Sequence, residues 1–259
     1  MKRTWGTLLA TAFATAVVAW LAPFPASAAA STSACGSGSH GAAGYAYAGF
    51  ESTHVSSGVR ATVTVLRAPS VKAGHAAAWI GVGGTKAGAN GETMWLQVGV
   101  AALPNTPAMV YAEITRPGLD PVFLPLTQNV QVGESHRLAV LEMNERPGAW
   151  RVWLDGKPAT DPVVLPGSHR IWKPIVTAES WNGGVATCNR FGFRFERVGI
   201  AASLGGSWRT FEPGYRFEDR GYVIRQLRPD PGGQRTLSAD NIEAYAFDAS
   251  SAGSAPAAG

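Results

Sequence analysis

The stretch Met94-Trp95-Leu96-Gln97-Val98-Gly99-Val100 (MWLQVGV, residues 94–100) interleaves two kinds of side chain. Successive side chains of a strand point to opposite sides, so Met94, Leu96, Val98 and Val100 share one face. Trp95, Gln97 and Gly99 share the other. The first face suits an apolar interior. The second puts a neutral amide beside an indole, which allows two readings. Gln97 hydrogen-bonds inside a packed sheet, or its amide faces a cleft and handles a substrate.

The same period of two recurs along the chain. Val59, Ala61, Val63 and Val65 alternate with Arg60, Thr62 and Thr64. Val110, Ala112 and Ile114 alternate with Met109, Tyr111, Glu113 and Thr115. Trp150, Val152 and Leu154 alternate with Arg151 and Trp153, and Phe191, Phe193 and Phe195 with Gly192, Arg194 and Glu196. Tyr222 and Ile224 form a shorter run, and Ile242, Ala244 and Ala246 a last one. Turn formers separate the runs at residues 81–92 (GVGGTKAGANGE), 116–121 (RPGLDP) and 228–234 (RPDPGGQ), with a tight turn at Asp155-Gly156. Beyond the first segment no helical stripe exceeds two turns, and 31 Gly and 17 Pro disfavour helices further. Many antiparallel strands in one domain hide one face of each sheet by stacking two sheets, so an all-β sandwich is expected. Trp95, Tyr111, Trp153 and Trp181 fall on or near the second face. There they line a groove or lie under covering loops.

Residues 1–28 read as a secretion signal, not as part of the fold. A short positive start, MKR, precedes the apolar run TLLATAFATAVVAWLA, and Ala26 and Ala28 fit a small-residue cleavage site. No second long apolar run follows, so no membrane span is expected and the protein should be extracellular. Residues 29–44 are expected to form a flexible lead-in and residues 249–259 a loose tail, leaving a sandwich domain at 45–248. A domain of this size can bury about 70% of its unfolded surface without a metal or disulfide lattice. Losing Lys2 and Arg3 with the leader lowers the 22 basic residues to 20 against 18 acidic ones. The positives are dispersed, so nucleic acid is not an expected partner. A monomer is expected. Cys35 and Cys188 are the only cysteines. Export permits a bridge between them, and two thiolates cannot build a four-thiolate metal site.

Several chemistries lack their residues. His40, His54, His75, His136 and His169 form no HExxH and no close pair, and read as structural or exposed. No G-x-S-x-G elbow and no G-x-G-x-x-G strand–helix unit is present. No metal or cofactor is therefore expected. Glu142 and Glu145 lie in a turn-like context. Gln97 and Glu179 make a better pair. In a strand, Ile175, Thr177, Glu179 and Trp181 share a face, so Glu179 stands beside an indole. Apolar surroundings raise a carboxyl pKa and fit it to carry a proton. The plain alternative is a solvent-facing Glu.

The segment AWIGVGG at residues 78–84, followed by WLQVG, resembles the glutamic peptidases, the eqolisin family, whose pattern runs roughly A-W-V-G-I-D-G and then L-I-Q-x-G. Further pieces follow in order: VYAEITRPG at 110–118, VGESHRLAV at 132–140, IVTAESW at 175–181 and RFGFRFERV at 190–198. The resemblance covers roughly residues 45–247. It implies a secreted, concanavalin A-like β-sandwich (jelly roll) that cleaves polypeptides in acid with a Gln/Glu dyad and no metal. Gln97 would take the Gln role and Glu179 the Glu role, with Trp79, Tyr111 and Glu113 flanking the cleft. This chain departs from the pattern at Gly83, where the family has Asp, and at Ile114-Thr115, where it has W-Y. Val176 or Thr177 stands where a Trp precedes the catalytic Glu. The other reading is a non-catalytic, lectin-like sandwich that grips a polysaccharide with Trp95, Trp153 and Trp181.

N-terminal sequencing of the exported protein should begin at Ala29. A retained Met1 would remove the secretion signal from the account.

Overall fold

The computed structural model describes residues 45–181, 189–219, 221–227 and 241–246, and their regular structure is entirely β. In chain order the strands are β1 (Tyr45–Ser52), β2 (Gly58–Ser70), β3 (His75–Gly84), β4 (Met94–Ala102), β5 (Ala108–Thr115) and β6 (Val122–Val130). They continue as β7 (Ser135–Glu142), β8 (Ala149–Leu154), β9 (Lys157–Pro158), β10 (Val163–Val164) and β11 (Ile175–Trp181). The last are β12 (Arg190–Ala201), β13 (Trp208–Thr210), β14 (Pro213–Glu218), β15 (Tyr222–Leu227) and β16 (Asn241–Ala246). One antiparallel sheet runs β14-β1-β11-β3-β4-β5-β6. The other runs β10-β8-β7-β2-β12-β16-β15, with short β9 on β8 and β13 on β12.

The alternation that makes these segments strands also supplies their common core. Ala76, Ala78, Ile80 and Val82 of β3 join Met94, Leu96, Val98 and Val100 of β4 in it. Val59, Val63 and Val65 of β2 and Phe191, Phe193 and Phe195 of β12 meet them from the second sheet. Trp150 is fully buried against Trp172, its ring centroid 5.5 Å away, and its indole N–H donates to Ser168 Oγ at 2.7 Å. A buried indole needs that acceptor, because an unpaired N–H in an apolar interior costs about 1–3 kcal/mol.

The local turn chemistry follows the sequence. Leu154 pairs with Lys157, and Asp155 and Gly156 have φ of 51° and 82°. Two positive-φ residues are what a tight two-residue hairpin demands. The glycine-rich run read as a loop from residue 81 is corrected at its start, since β3 continues through Gly84. Gly81 of that run and Gly99 of β4 are close-approach residues. A Cβ on Gly81 would lie 2.8 Å from Gln97 Cβ, and one on Gly99 would lie 2.6 Å from Trp79 Cβ. Glycine thus clears room for large side chains on neighbouring strands.

Residues 1–44 and 247–259 lie outside the described residues, as do Cys35 and Cys188 and any bridge between them. Among the described residues no helix is long and apolar enough to cross a membrane.

Phe193 is fully buried at the centre of β12. Phe193→Ala should cost about 3–5 kcal/mol of stability in urea unfolding, through lost apolar burial and a residual cavity.

Candidate active site

The face of the first sheet turned away from the core carries the polar and aromatic set, and strand register orders it into rungs. Gly81 of β3 pairs with Gln97, which pairs with Glu113 of β5, which pairs with Phe123 of β6. On the next rung Thr177 pairs with Trp79, Trp79 with Gly99, and Gly99 with Tyr111. One rung further, Tyr47 pairs with Glu179 and Glu179 with Ala77. At the end lie Tyr45, Trp181 and His75. A cleft of about 480 Å³ opens over this face. Gln97, Glu113, Glu179, Trp79, Trp95 and Tyr47 are among the residues that line it.

Gln97 is buried, and its Nε2 donates to the Tyr111 hydroxyl at 3.0 Å. Tyr111 is held in turn by stacking on Phe123, ring centroids 4.9 Å apart. An NH2 group carries two donors, so this bond fixes the amide and leaves one N–H for another acceptor. Burial keeps Tyr111 neutral by pushing its pKa well up, with the charges of Glu179 and Glu113 adding to the effect.

Glu113 sits beside that amide and accepts a hydrogen bond from Trp95 Nε1 at 3.0 Å. Burial, reinforced by the negative charge of Glu179, raises its pKa to about 7. The Trp95 bond and the His75 charge oppose the shift without cancelling it. Glu179 is 5% exposed and meets His75 Nε2 at 3.2 Å. Burial works against a charged His75 ring, but the hydrogen bond and charge of Glu179, with the charge of Glu113, raise its pKa overall. Trp181 stacks on that ring at 5.8 Å. Above them, burial and the charge of Glu179 push Tyr45 up to about 12, so its hydroxyl stays a neutral donor.

The face gathers most of the residues expected at the site, with five differences. Gln97 and Glu179 face one cleft but share no hydrogen bond. Glu179 is offset from Gln97 by four residues along β3, about 13 Å of strand. The carboxylate next to Gln97 is Glu113, and the β11 residue one rung from Gln97 is Thr177. Tyr111 is a buried support for Gln97, not a wall of the cleft. Trp181 braces His75 at one end. The grouping of Trp153 with Trp95 and Trp181 is corrected: Trp153 lies on β8 in the other sheet, paired with Ala139. A period of two assigns a face to each strand, but not the sheet to which the strand belongs.

Tyr45 and Tyr47 are absent from the sequence reading, and His75, read there as structural or exposed, lies against Glu179 at the end of the cleft face. The alternation of His75, Ala77, Trp79 and Gly81 could have placed His75 on the cleft face. The remaining described histidines pair with carboxylates elsewhere: His169 with buried Glu142 at 2.8 Å, His54 with Glu212 at 2.9 Å, and His136 with Asp155 at 2.9 Å.

The fold is distantly similar to solved glutamic peptidases. Scytalido-glutamic peptidase with a transition state analog inhibitor matches at a TM-score of 0.50 and 11% identity, over 79% of this chain and 98% of that one. The same peptidase with a peptide-based analog gives 0.49 and 14% over the same shares. SCP-B, a member of the eqolisin family in complex with the tripeptide Ala-Ile-His, gives 0.45 and 13%, again covering 79% and 98%. No protein-family model matches the chain, and no curated protein does. At these identities the likeness is one of fold.

The site makes stability depend on pH. Folded Glu113 keeps its proton to about 7, whereas the unfolded chain loses it near 4.5. Its contribution is therefore full below 4.5 and lost as pH rises to about 7. The raised pKa of His75 adds a loss in the same direction as its ring deprotonates. Thermal unfolding should show Tm falling across this interval, and Glu113→Gln should flatten the fall.

Proposed function

We propose that the cleft is the active site of a secreted endopeptidase that works in acid, on a sandwich of concanavalin-like, jelly-roll form. The observation that carries the reading is a pair of carboxyl groups in unlike surroundings lining one cleft with a fixed amide. Glu113 is protonated below about 7, while Glu179 is held against His75. Two carboxyl groups whose environments differ in this way can divide acid and base roles.

Glu179 takes a proton from a water, whose oxygen attacks the scissile carbonyl. The unengaged N–H of Gln97 donates to the oxyanion as it forms. Glu113 passes its proton to the leaving nitrogen, and proton exchange with solvent restores both groups. Trp79, Trp95 and Tyr47 supply apolar contact for an extended polypeptide laid over the sheet. An uncharged amide suits this task in acid, because its donors do not titrate there. No metal or cofactor takes part in these steps.

The protein freed of residues 1–28 should cleave denatured protein between pH 2 and 5. Gln97→Ala should lower kcat about 100- to 1,000-fold, and Glu179→Ala about 100- to 10,000-fold. The rate should fall as pH rises through about 7, where Glu113 loses its proton, and Glu113→Gln should remove most of the activity. Absence of cleavage throughout pH 2–5 would leave a polysaccharide-gripping cleft as the better account, and variants as active as the parent would remove these residues from the mechanism.

A further inference from the structure

The outer face of the second sheet has a different chemistry. Register again orders it. Trp153 of β8 pairs with Ala139 of β7, Ala139 with Arg60 of β2, and Arg60 with Gly199 of β12. Arg60 runs across β12 where Gly199 leaves space, since a Cβ there would stand 3.3 Å from Arg60 Nε. Its guanidinium carbon then lies 4.7 Å from the ring centroid of Trp208. That stacking occupies a face of the guanidinium and fixes it, while its in-plane N–H donors stay open. Arg137 stands two residues along β7, and exposed Arg197 projects from the irregular stretch of β12. Together with Trp153, Trp208 and Ala139 these arginines line a shallow groove of about 520 Å³. Among the described residues none of the three has a side-chain ion pair with a carboxylate. Glu196, opposite Thr62, and Asp155, whose backbone carbonyl accepts from Arg137 Nη2 at 3.1 Å, are the acidic groups at its margin.

We propose that this groove binds an acidic polysaccharide, a glycan chain with carboxylated sugars. Indole faces stack on pyranose rings, and an arginine fork takes a carboxylate through paired N–H donors. Trp153 and Arg60 are two strand spacings apart, about 9.6 Å, so one bound chain can meet both. The pattern favours a polymer of modest charge density over nucleic acid. Three cations lie dispersed among neutral positions with two carboxylates at the rim, and the chain freed of its leader carries only about +2 net charge. The groove lies on the sheet opposite the cleft, so the proposal does not depend on that cleft being catalytic.

Affinity electrophoresis of the protein freed of residues 1–28, in gels containing polygalacturonate, tests this at 0.15 M salt. Dextran gels serve as the neutral control, and titrations with oligo-dT and with phosphatidylserine vesicles cover the other polyanions. Polygalacturonate should retard the protein, and dextran should not. Trp153→Ala and Arg60→Gln should each weaken binding at least tenfold with Tm held. Because Arg60 is exposed, its variant keeps the test decisive if Trp153→Ala fails to fold. Gln97→Ala should bind as the parent does, whether or not the parent cleaves protein. No retardation by polygalacturonate, retardation unchanged in Arg60→Gln, or tighter binding to oligo-dT or vesicles would overturn the proposal.

Discussion

β3 serves two environments at once, and the architecture depends on that division. Ala76, Ala78, Ile80 and Val82 pack into the core, while His75, Ala77, Trp79 and Gly81 form part of the cleft face. A one-residue slip of this strand would exchange the two sets, burying an imidazole and an indole N–H in the apolar interior and exposing the aliphatic chains. The cost of that exchange locks β3 between β11 and β4. The locked register in turn decides which residues of the flanking strands become neighbours. Gln97 meets Glu113 because both lie on the rung of Gly81.

Small residues shape the cleft as much as the large ones do. Gly81 and Gly99 leave room on the sheet surface where Gln97 and Trp79 lie. The polar groups there are then fixed by partners of matching chemistry. Tyr111 holds the Gln97 amide, Trp95 holds Glu113, and His75 holds Glu179. Two buried carboxylates facing one cavity repel each other. The site accommodates them by keeping a proton on one and setting an imidazole against the other.

The two outer faces of the sandwich carry opposite characters. The first sheet presents carboxylates and tyrosines over a cleft, and the second presents arginines and tryptophans over a shallow groove. The separation follows from strand alternation, because the outward positions of β4, β5 and β11 carry Gln97, Glu113 and Glu179 whereas those of β2 and β7 carry Arg60 and Arg137. The small net charge of the whole chain conceals this local separation.

Alternating hydrophobicity by itself determined that the chain is all-β, which side chains of each strand turn inward, and where the Asp155-Gly156 hairpin closes. The reason is local: a period of two and a positive-φ turn are properties of a few consecutive residues. The resemblance of residues 78–84 and 95–99 to glutamic peptidases also drew attention to Gln97, which lines the cleft. Only the tertiary structure decided that Glu113, not Glu179, stands beside Gln97, that His75 and two tyrosines join the cleft, and that Trp153 belongs to the opposite sheet. Those relations join residues more than 130 positions apart, such as Tyr47 and Glu179, through strand order and register. Both are set by how all the strands pack together, and a stretch of sequence around either partner contains neither.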